Sequence, residues 1–269
     1  MLAPPVHWGR AVPFEFSGVP LVDIDVVGAV ESLLDAATRR AGQGLHLCNS
    51  YTLSLASHDV TVRDALRHPG AVNLPDGAPV SWYFRLACRR PALGPVRGPS
   101  LMRAALARPG LRHYLLGGTD AVLIDLEQVI AREFPGAVVA GRLAPPFGDP
   151  TPSELASWAS AIREANANVV WVGLGTPRQD LVISELVGSV GAVLVGVGAA
   201  FDFLSGHKSE APSYLHRTGL EWTFRLASEP RRLWRRYLVG STRFALRATR
   251  QLLDPRASSA GPAQRSPRQ

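Results

Sequence analysis

Polar residues and glycines follow the short apolar runs of this chain in a pattern that could bind phosphate. Asn49, Asp76, Gly117-Gly118-Thr119, Gly173-Leu174-Gly175-Thr176 and Gly198 each stand just after a run that reads as a β-strand. Ligands bind at that edge of an open α/β sheet, because helix N-termini and free backbone amides collect there. Several glycine-bearing turns on one edge point to a phosphate-containing ligand. Glycine is also common at tight strand-to-helix turns, so a purely structural reading stands beside the functional one. Thr119, after two glycines, offers a hydroxyl to a nucleotide phosphate or ribose.

Two further motifs carry less. Asp23-Ile24-Asp25 has the Asp-x-Asp form that holds a divalent metal and a nucleotide diphosphate. It lies just before the first predicted helix, where acidic residues favour the helix start, and no metal site is assigned to it. Gly196-Val197-Gly198-Ala199-Ala200-Phe201 begins like a dinucleotide fingerprint but has Phe201 where the third glycine belongs. Cys48 and Cys88 are the only cysteines, too few for a disulfide framework or a zinc site of their own.

The elements that must position these residues alternate as in an α/β domain with a mostly parallel sheet. Strands are expected at 45–48, 71–74, 112–116, 137–140, 169–172 and 192–197. Helices are expected at 26–40, 57–67, from Pro75-Asp76-Gly77 to about Arg90, 121–134 and 153–164. The apolar stretch from Leu186 to Phe201 is shorter than the roughly 20 residues a spanning helix needs. Pro4 and Pro5 stand where a signal peptide would be apolar. A cytoplasmic protein is expected.

Charge is distributed unevenly. The chain of 269 residues has a formal net charge of +7. Residues 1–220 hold 18 basic and 19 acidic side chains, whereas residues 221–269 hold 11 and 3. A nearly neutral body therefore carries a cationic C-terminal segment that suits an anionic partner. Between 221 and 250, eight arginines interleave with Trp222, Phe224, Leu233, Trp234, Tyr237, Leu238 and Phe244. The spacing puts Leu233, Trp234, Tyr237 and Leu238 on one helical face, as in a helix that lies on a membrane surface. Packing of these aromatics onto the body, or burial in an oligomer interface, is the alternative. Residues 255–269 read as disordered.

Five blocks in order carry a resemblance. They are Asn73-Leu74-Pro75-Asp76-Gly77-Ala78-Pro79-Val80-Ser81-Trp82, Arg97-Gly98-Pro99-Ser100-Leu101, Gly173-Leu174-Gly175-Thr176-Pro177-Arg178-Gln179-Asp180, Gly196 to Phe203, and Gly219 to Arg232. Together they make the chain resemble the WecG/TagA/CpsF glycosyltransferases (glycosyltransferase family 26). With the change of charge and composition at 221 and 255, the resemblance implies a Rossmann-like domain over 1–220, a basic amphipathic membrane-associating appendage over 221–254 and a disordered tail over 255–269. It also implies an inverting, metal-independent transferase that moves a sugar from a UDP-sugar to a polyprenyl-diphosphate-linked sugar, in cell-wall or exopolysaccharide assembly. Such an enzyme would sit peripherally on the inner face of the cell membrane and need no cofactor.

Site residues follow from the resemblance together with the strand-edge turns. Asp76 becomes the catalytic base that takes the acceptor hydroxyl's proton, although an Asp before a helix is also a natural N-cap. Asn49 would orient the acceptor or the base, or merely cap the strand end. Gln179 would contact the sugar or diphosphate, with Gly173, Gly175 and Gly198 admitting the donor close to the backbone. Gly117, Gly118 and Thr119 would hold the nucleotide. Arg178 would meet the phosphates or stand solvated. Arg225, Arg231 and Arg232 of the appendage, joined by Arg235 and Arg236, would meet the charge on the leaving UDP.

Two positions depart from the family pattern: Leu47 replaces a threonine, and Glu210-Ala211-Pro212 stands for Arg-Ala-Pro. A carboxylate near a diphosphate is unfavourable, so either Lys208 substitutes or the acceptor geometry differs. Nothing in the sequence separates N-acetylmannosamine, its uronic acid and a hexose as the transferred sugar. A basic-tailed nucleic-acid-binding protein and a nucleotide-dependent oxidoreductase are the rival readings; the main reading expects no nucleic acid.

Overall fold

A computed structural model of the chain describes Trp8 and residues 10–89, 94–212, 215 and 221–253. Its first elements are a two-stranded antiparallel hairpin, β1 (Arg10–Phe16) and β2 (Val19–Asp23). The main sheet follows from β3 (Gly44–Cys48), β4 (Ala71–Pro75), β5 (Arg112–Gly117), β6 (Val138–Leu143), β7 (Val169–Gly173) and β8 (Val193–Gly196). The strand order is β4-β3-β8-β7-β5-β6, with every pairing parallel. This is the α/β architecture that the alternation of strands and helices predicts.

Alternation along the strands builds two cores. Val169, Trp171, Val193, Val195 and Leu115 face one side of the sheet, and Val170, Val172, Leu194, Tyr114 and Leu116 face the other. Successive side chains of a strand point to opposite faces, so a strand buried on both sides must be apolar throughout. The first face is covered by α1 (Val26–Thr38), α5 (Gly98–Leu106), α6 (Asp120–Glu133) and α9 (Ala200–Leu204); the second is covered by α7 (Pro152–Glu164) and α8 (Arg178–Leu186).

A third core lies between the hairpin, α2 (Ser50–Ala56), α3 (Val60–Leu66), α4 (Ala78–Cys88) and the C-terminal segment. That segment contains α10 (Glu221–Ser228), α11 (Pro230–Trp234), a π-helical turn (Arg235–Gly240) and α12 (Ser241–Leu253). Phe244 of α12 stacks on Phe16 with ring centroids 4.8 Å apart and lies 6.0 Å from Tyr83. Burying a phenylalanine contributes roughly 1.5–3 kcal/mol, and each aromatic pair adds about 0.5–1.5 kcal/mol. Those contacts hold α12 against the body.

The structure corrects several expectations. The helix expected at 57–67 is found as α3, and a further helix that was not expected, α2, precedes it; each is begun by its own cap, with Asn49 accepting from Tyr51 N and Thr52 N, and Asp59 from Thr61 N and Val62 N. Two side-chain caps so close together start two short helices rather than one long one. The hairpin and the helices α5 and α8 stand where none was expected. The continuous apolar face at 233–238 is broken, because the π turn changes the helical period after Trp234. Leu233 is buried, whereas Trp234 and Leu238 are exposed; the side chain of Tyr237 and residues 255–269 lie outside the described residues.

Candidate active site

The carboxyl ends of four adjacent strands, β4, β3, β8 and β7, open into one polar chamber. Asp76 follows β4, Asn49 follows β3, Val197 to Ala200 follow β8, and Gly173 to Thr176 follow β7; all line a space of about 190 Å³. Arg97 and Gly98 at the start of α5, Gln179 on α8, Asp202 and Phe203 on α9, and Glu221, Arg225 and Arg236 of the C-terminal segment close the walls. The chamber's glycines serve close approach. A β-carbon on Gly98 would lie 2.7 Å from the Val197 carbonyl oxygen, and one on Gly173 would lie 2.7 Å from the Phe201 ring.

Asp76 sits where the backbone frees its side chain. Its N–H donates to Cys48 O at 3.0 Å, which splices the end of β4 to that of β3. The N-cap of α4 is Gly77, at φ +81°, and no side chain hydrogen-bonds that helix end. The capping role foreseen for Asp76 thus falls to its neighbour. Burial pushes the Asp76 carboxyl up to about 6, and the Glu221 carboxylate adds to the rise. Arg97, Arg225 and Arg236 oppose it without cancelling it. A carboxylate of that affinity is ionised at neutral pH yet still binds a proton well, as a general base must.

The cations around it are themselves held. Arg97 Nε and Nη2 each donate to Glu221 at 2.9 Å, and Nη2 also reaches Glu210 at 2.9 Å. Burial works against the Arg97 charge, but the two carboxylates outweigh it and its pKa is raised. Arg225 lies over the Phe203 ring at 5.3 Å and Arg236 over Tyr51 at 5.1 Å, within cation–π range. Glu210 is bound between Arg97 and Arg103, both at 2.9 Å. Although burial opposes it, the two arginines keep its carboxyl below its ordinary value. Lys208 pairs with Asp202 at 3.0 Å and Glu229 at 3.5 Å. The departure at Glu210 is therefore accommodated by arginines of the body, and Lys208 has its own carboxylates.

A family model described as Glycosyl transferase WecG/TagA/CpsF family matches residues 14–258. The chain belongs to this family. It is a glycosyltransferase, and the family implies a sugar-nucleotide donor and a lipid-linked acceptor.

The family's sequence blocks converge unequally on the chamber. Asp76, Asn49, Gln179, Gly173, Gly175, Gly198 and Arg225 all line it. The Asn49 amide oxygen caps α2 and also accepts from the Thr52 hydroxyl at 3.3 Å, which leaves its amide N–H groups as what it offers the chamber. Gln179 Oε1 accepts from Gly198 N at 3.0 Å and ties α8 to the β8 turn. Behind it, His46 Nδ1 and Asp180 Oδ1 lie 2.9 Å apart, fully buried, and bind α8 to β3.

Other expected residues lie outside the lining. Arg178 donates from Nη2 to Pro146 O at 2.8 Å, satisfying a Pro-rich loop. Thr119 caps α6 through Val122 N, and Gly117 packs against the Gly173 backbone, where a β-carbon would meet Gly173 O at 2.7 Å. Gly118, at φ +72°, faces Val122. Arg231 is exposed, and the side chains of Arg232 and Arg235 lie outside the described residues. Asp25 caps α1 through Gly28 N at 2.8 Å and Asp23 is buried in the hairpin; neither lines the chamber. The family blocks include Arg97, Asp202, Phe203 and Glu221, but sequence reasoning assigned none of the four a role.

Proposed function

We propose that the protein is an inverting transferase of a UDP-sugar to a hydroxyl of a polyprenyl-diphosphate-linked sugar, with Asp76 as the base. The observation that carries this reading is the raised proton affinity of Asp76 beside three guanidinium groups. In an inverting displacement the acceptor oxygen attacks the anomeric carbon from the side opposite the leaving diphosphate. Its O–H proton passes to the Asp76 carboxylate as the new C–O bond forms and the bond to UDP breaks. Arg97 and Arg225 supply positive charge to meet the negative charge that the departing diphosphate gains by leaving, as preorganised groups in a partly dehydrated site.

No resident metal is required by this scheme, because arginine forks take the role of a divalent cation. The chamber's other carboxylates are matched already, Glu221 by Arg97 and Asp202 by Lys208. Attachment to an anionic membrane face belongs to the same proposal. Among the described residues no helix is long and apolar enough to cross a membrane. Trp222, Trp234, Leu238, Val239, Leu246 and Leu253 are exposed on a segment rich in arginine. The deciding experiment is calorimetric titration with UDP in EDTA and then with added magnesium or manganese. Binding that ignores EDTA is expected; binding that requires the metal overturns the arginine scheme.

A further inference from the structure

The polar chamber has an apolar neighbour. A groove of about 520 Å³ runs between α4 and the C-terminal segment. Trp82 and Leu86 form one wall, and Ala245, Ala248 and Leu252 form the other. Trp82 and Leu86 are 48% and 63% exposed, a solvent-facing apolar pair on a helix whose other face is buried. Asn49, Asp76, Arg97, Glu221, Arg225 and Arg236 line both the groove and the chamber, so the two spaces join at the candidate base.

From one end to the other, the joined space passes from polar walls through a neck with three arginines to an apolar trough. We propose that the groove seats the first isoprene units of the lipid-linked acceptor, with its diphosphate at Arg236, which lies over the groove residue Tyr51, and its sugar at Asp76. This rests on the acceptor class in the proposed function. The order of chemistry along the space matches the order along such a molecule: hydroxylated sugar, diphosphate, hydrocarbon. Cavities that enclose most of a drug-sized ligand measure about 300–1,000 Å³. A groove of this volume therefore takes several isoprene units but not a whole polyprenyl chain, whose remainder leaves past the exposed Leu86, at the end of α4 away from Asp76. Transfer then occurs on a lipid whose head has been lifted beside Asp76 while its tail stays in the bilayer.

The test compares farnesyl diphosphate with isopentenyl diphosphate by intrinsic tryptophan fluorescence, without detergent. The longer chain is expected to bind at least about 30-fold tighter, since its added carbons leave water. Leu86→Glu combined with Ala245→Glu should abolish that preference while leaving isopentenyl diphosphate and UDP binding unchanged. Leu246→Glu, which adds the same charge to α12 outside the groove lining, should keep it. Equal affinity for the two diphosphates, or a preference untouched by the groove variants, overturns the proposal. UDP binding without the chain-length preference sinks the groove alone. A groove-dependent preference without UDP binding keeps the groove and sinks the donor reading.

Discussion

Arg97 and Glu221, 124 residues apart in the chain, meet in a two-point ion pair at 2.9 Å on each side. The pair joins the start of α5 to the start of the C-terminal segment, and both partners line the chamber beside Asp76. A fork-to-fork pair of this kind adds geometric restraint to its electrostatic strength. It is the structure's link between the site's chemistry and the segment that covers it.

Burial of Asp76 first, and then this pair, should shape the pH dependence of transfer. Activity of the unaltered protein is expected to rise with pH through about 6, as Asp76 loses its proton. Glu221→Gln removes a charge that raises Asp76 and should move this limb to lower pH. Arg97→Gln leaves Glu221 and Glu210 without their shared cation and should move it higher. Profiles of kcat/KM against pH would show the two variants displaced in opposite directions; displacement in the same direction would exclude Asp76 as the titrating group.

Asp76→Asn should keep the fold and UDP binding and lower kcat by about 10²–10⁴-fold, the usual contribution of a positioned base. Single-turnover rates with saturating donor separate this from weakened binding. Near-normal turnover would remove Asp76 from the chemistry.

The same substitution should stabilise the protein at neutral pH. The carboxyl titrates at about 6 in the folded chain against an ordinary 3.8, so the folded state binds more protons between those values. Stability is therefore lost as pH rises through that window, by roughly 1–3 kcal/mol in total. Urea unfolding should find Asp76→Asn more stable than the unaltered chain at pH 8, with the gain gone below pH 4.

How much of this was legible in the sequence depends on the range of the interaction. The buried strands β7 and β8 announce themselves by unbroken apolar runs, and their turns by glycine. The start of α2 at Asn49, ahead of the expected helix, depends on which of several polar residues wins a cap, a choice made by local geometry. No helix is expected at Gly98-Pro99, yet proline fits the first turn of a helix, where its missing N–H is no loss. The approach of Arg97 to Glu221 has no periodicity behind it and follows from the sheet order. Arg178 shows the converse: a residue inside a recognisable block whose side chain the fold turns to Pro146.

Gly98→Ala should be costly where most such changes are slight. Its β-carbon would press on backbone at Val197, which cannot move aside as a flexible side chain does. Overpacking of this kind costs about 1–3 kcal/mol, and UDP binding should weaken because α5 carries Arg97 into the chamber. Gly136→Ala, which meets nothing within 4 Å, is the control for thermal unfolding and titration.

Sedimentation with anionic liposomes should show binding that falls with salt. Each arginine near such a surface contributes roughly 1 kcal/mol, and half of the eight between 221 and 250 would give reversible attachment. Binding indifferent to ionic strength would contradict this account.

A last consequence lies in Gly77. Aspartates ahead of helices are commonly drawn into the helix end, where amide dipoles hold them acidic. Here the glycine takes that position in a left-handed conformation that side chains resist. The neighbouring carboxylate is relieved of architectural duty, so its acidity can be tuned by distant partners such as Glu221 without unravelling α4. Selection can then alter the reaction and the scaffold independently, one residue apart.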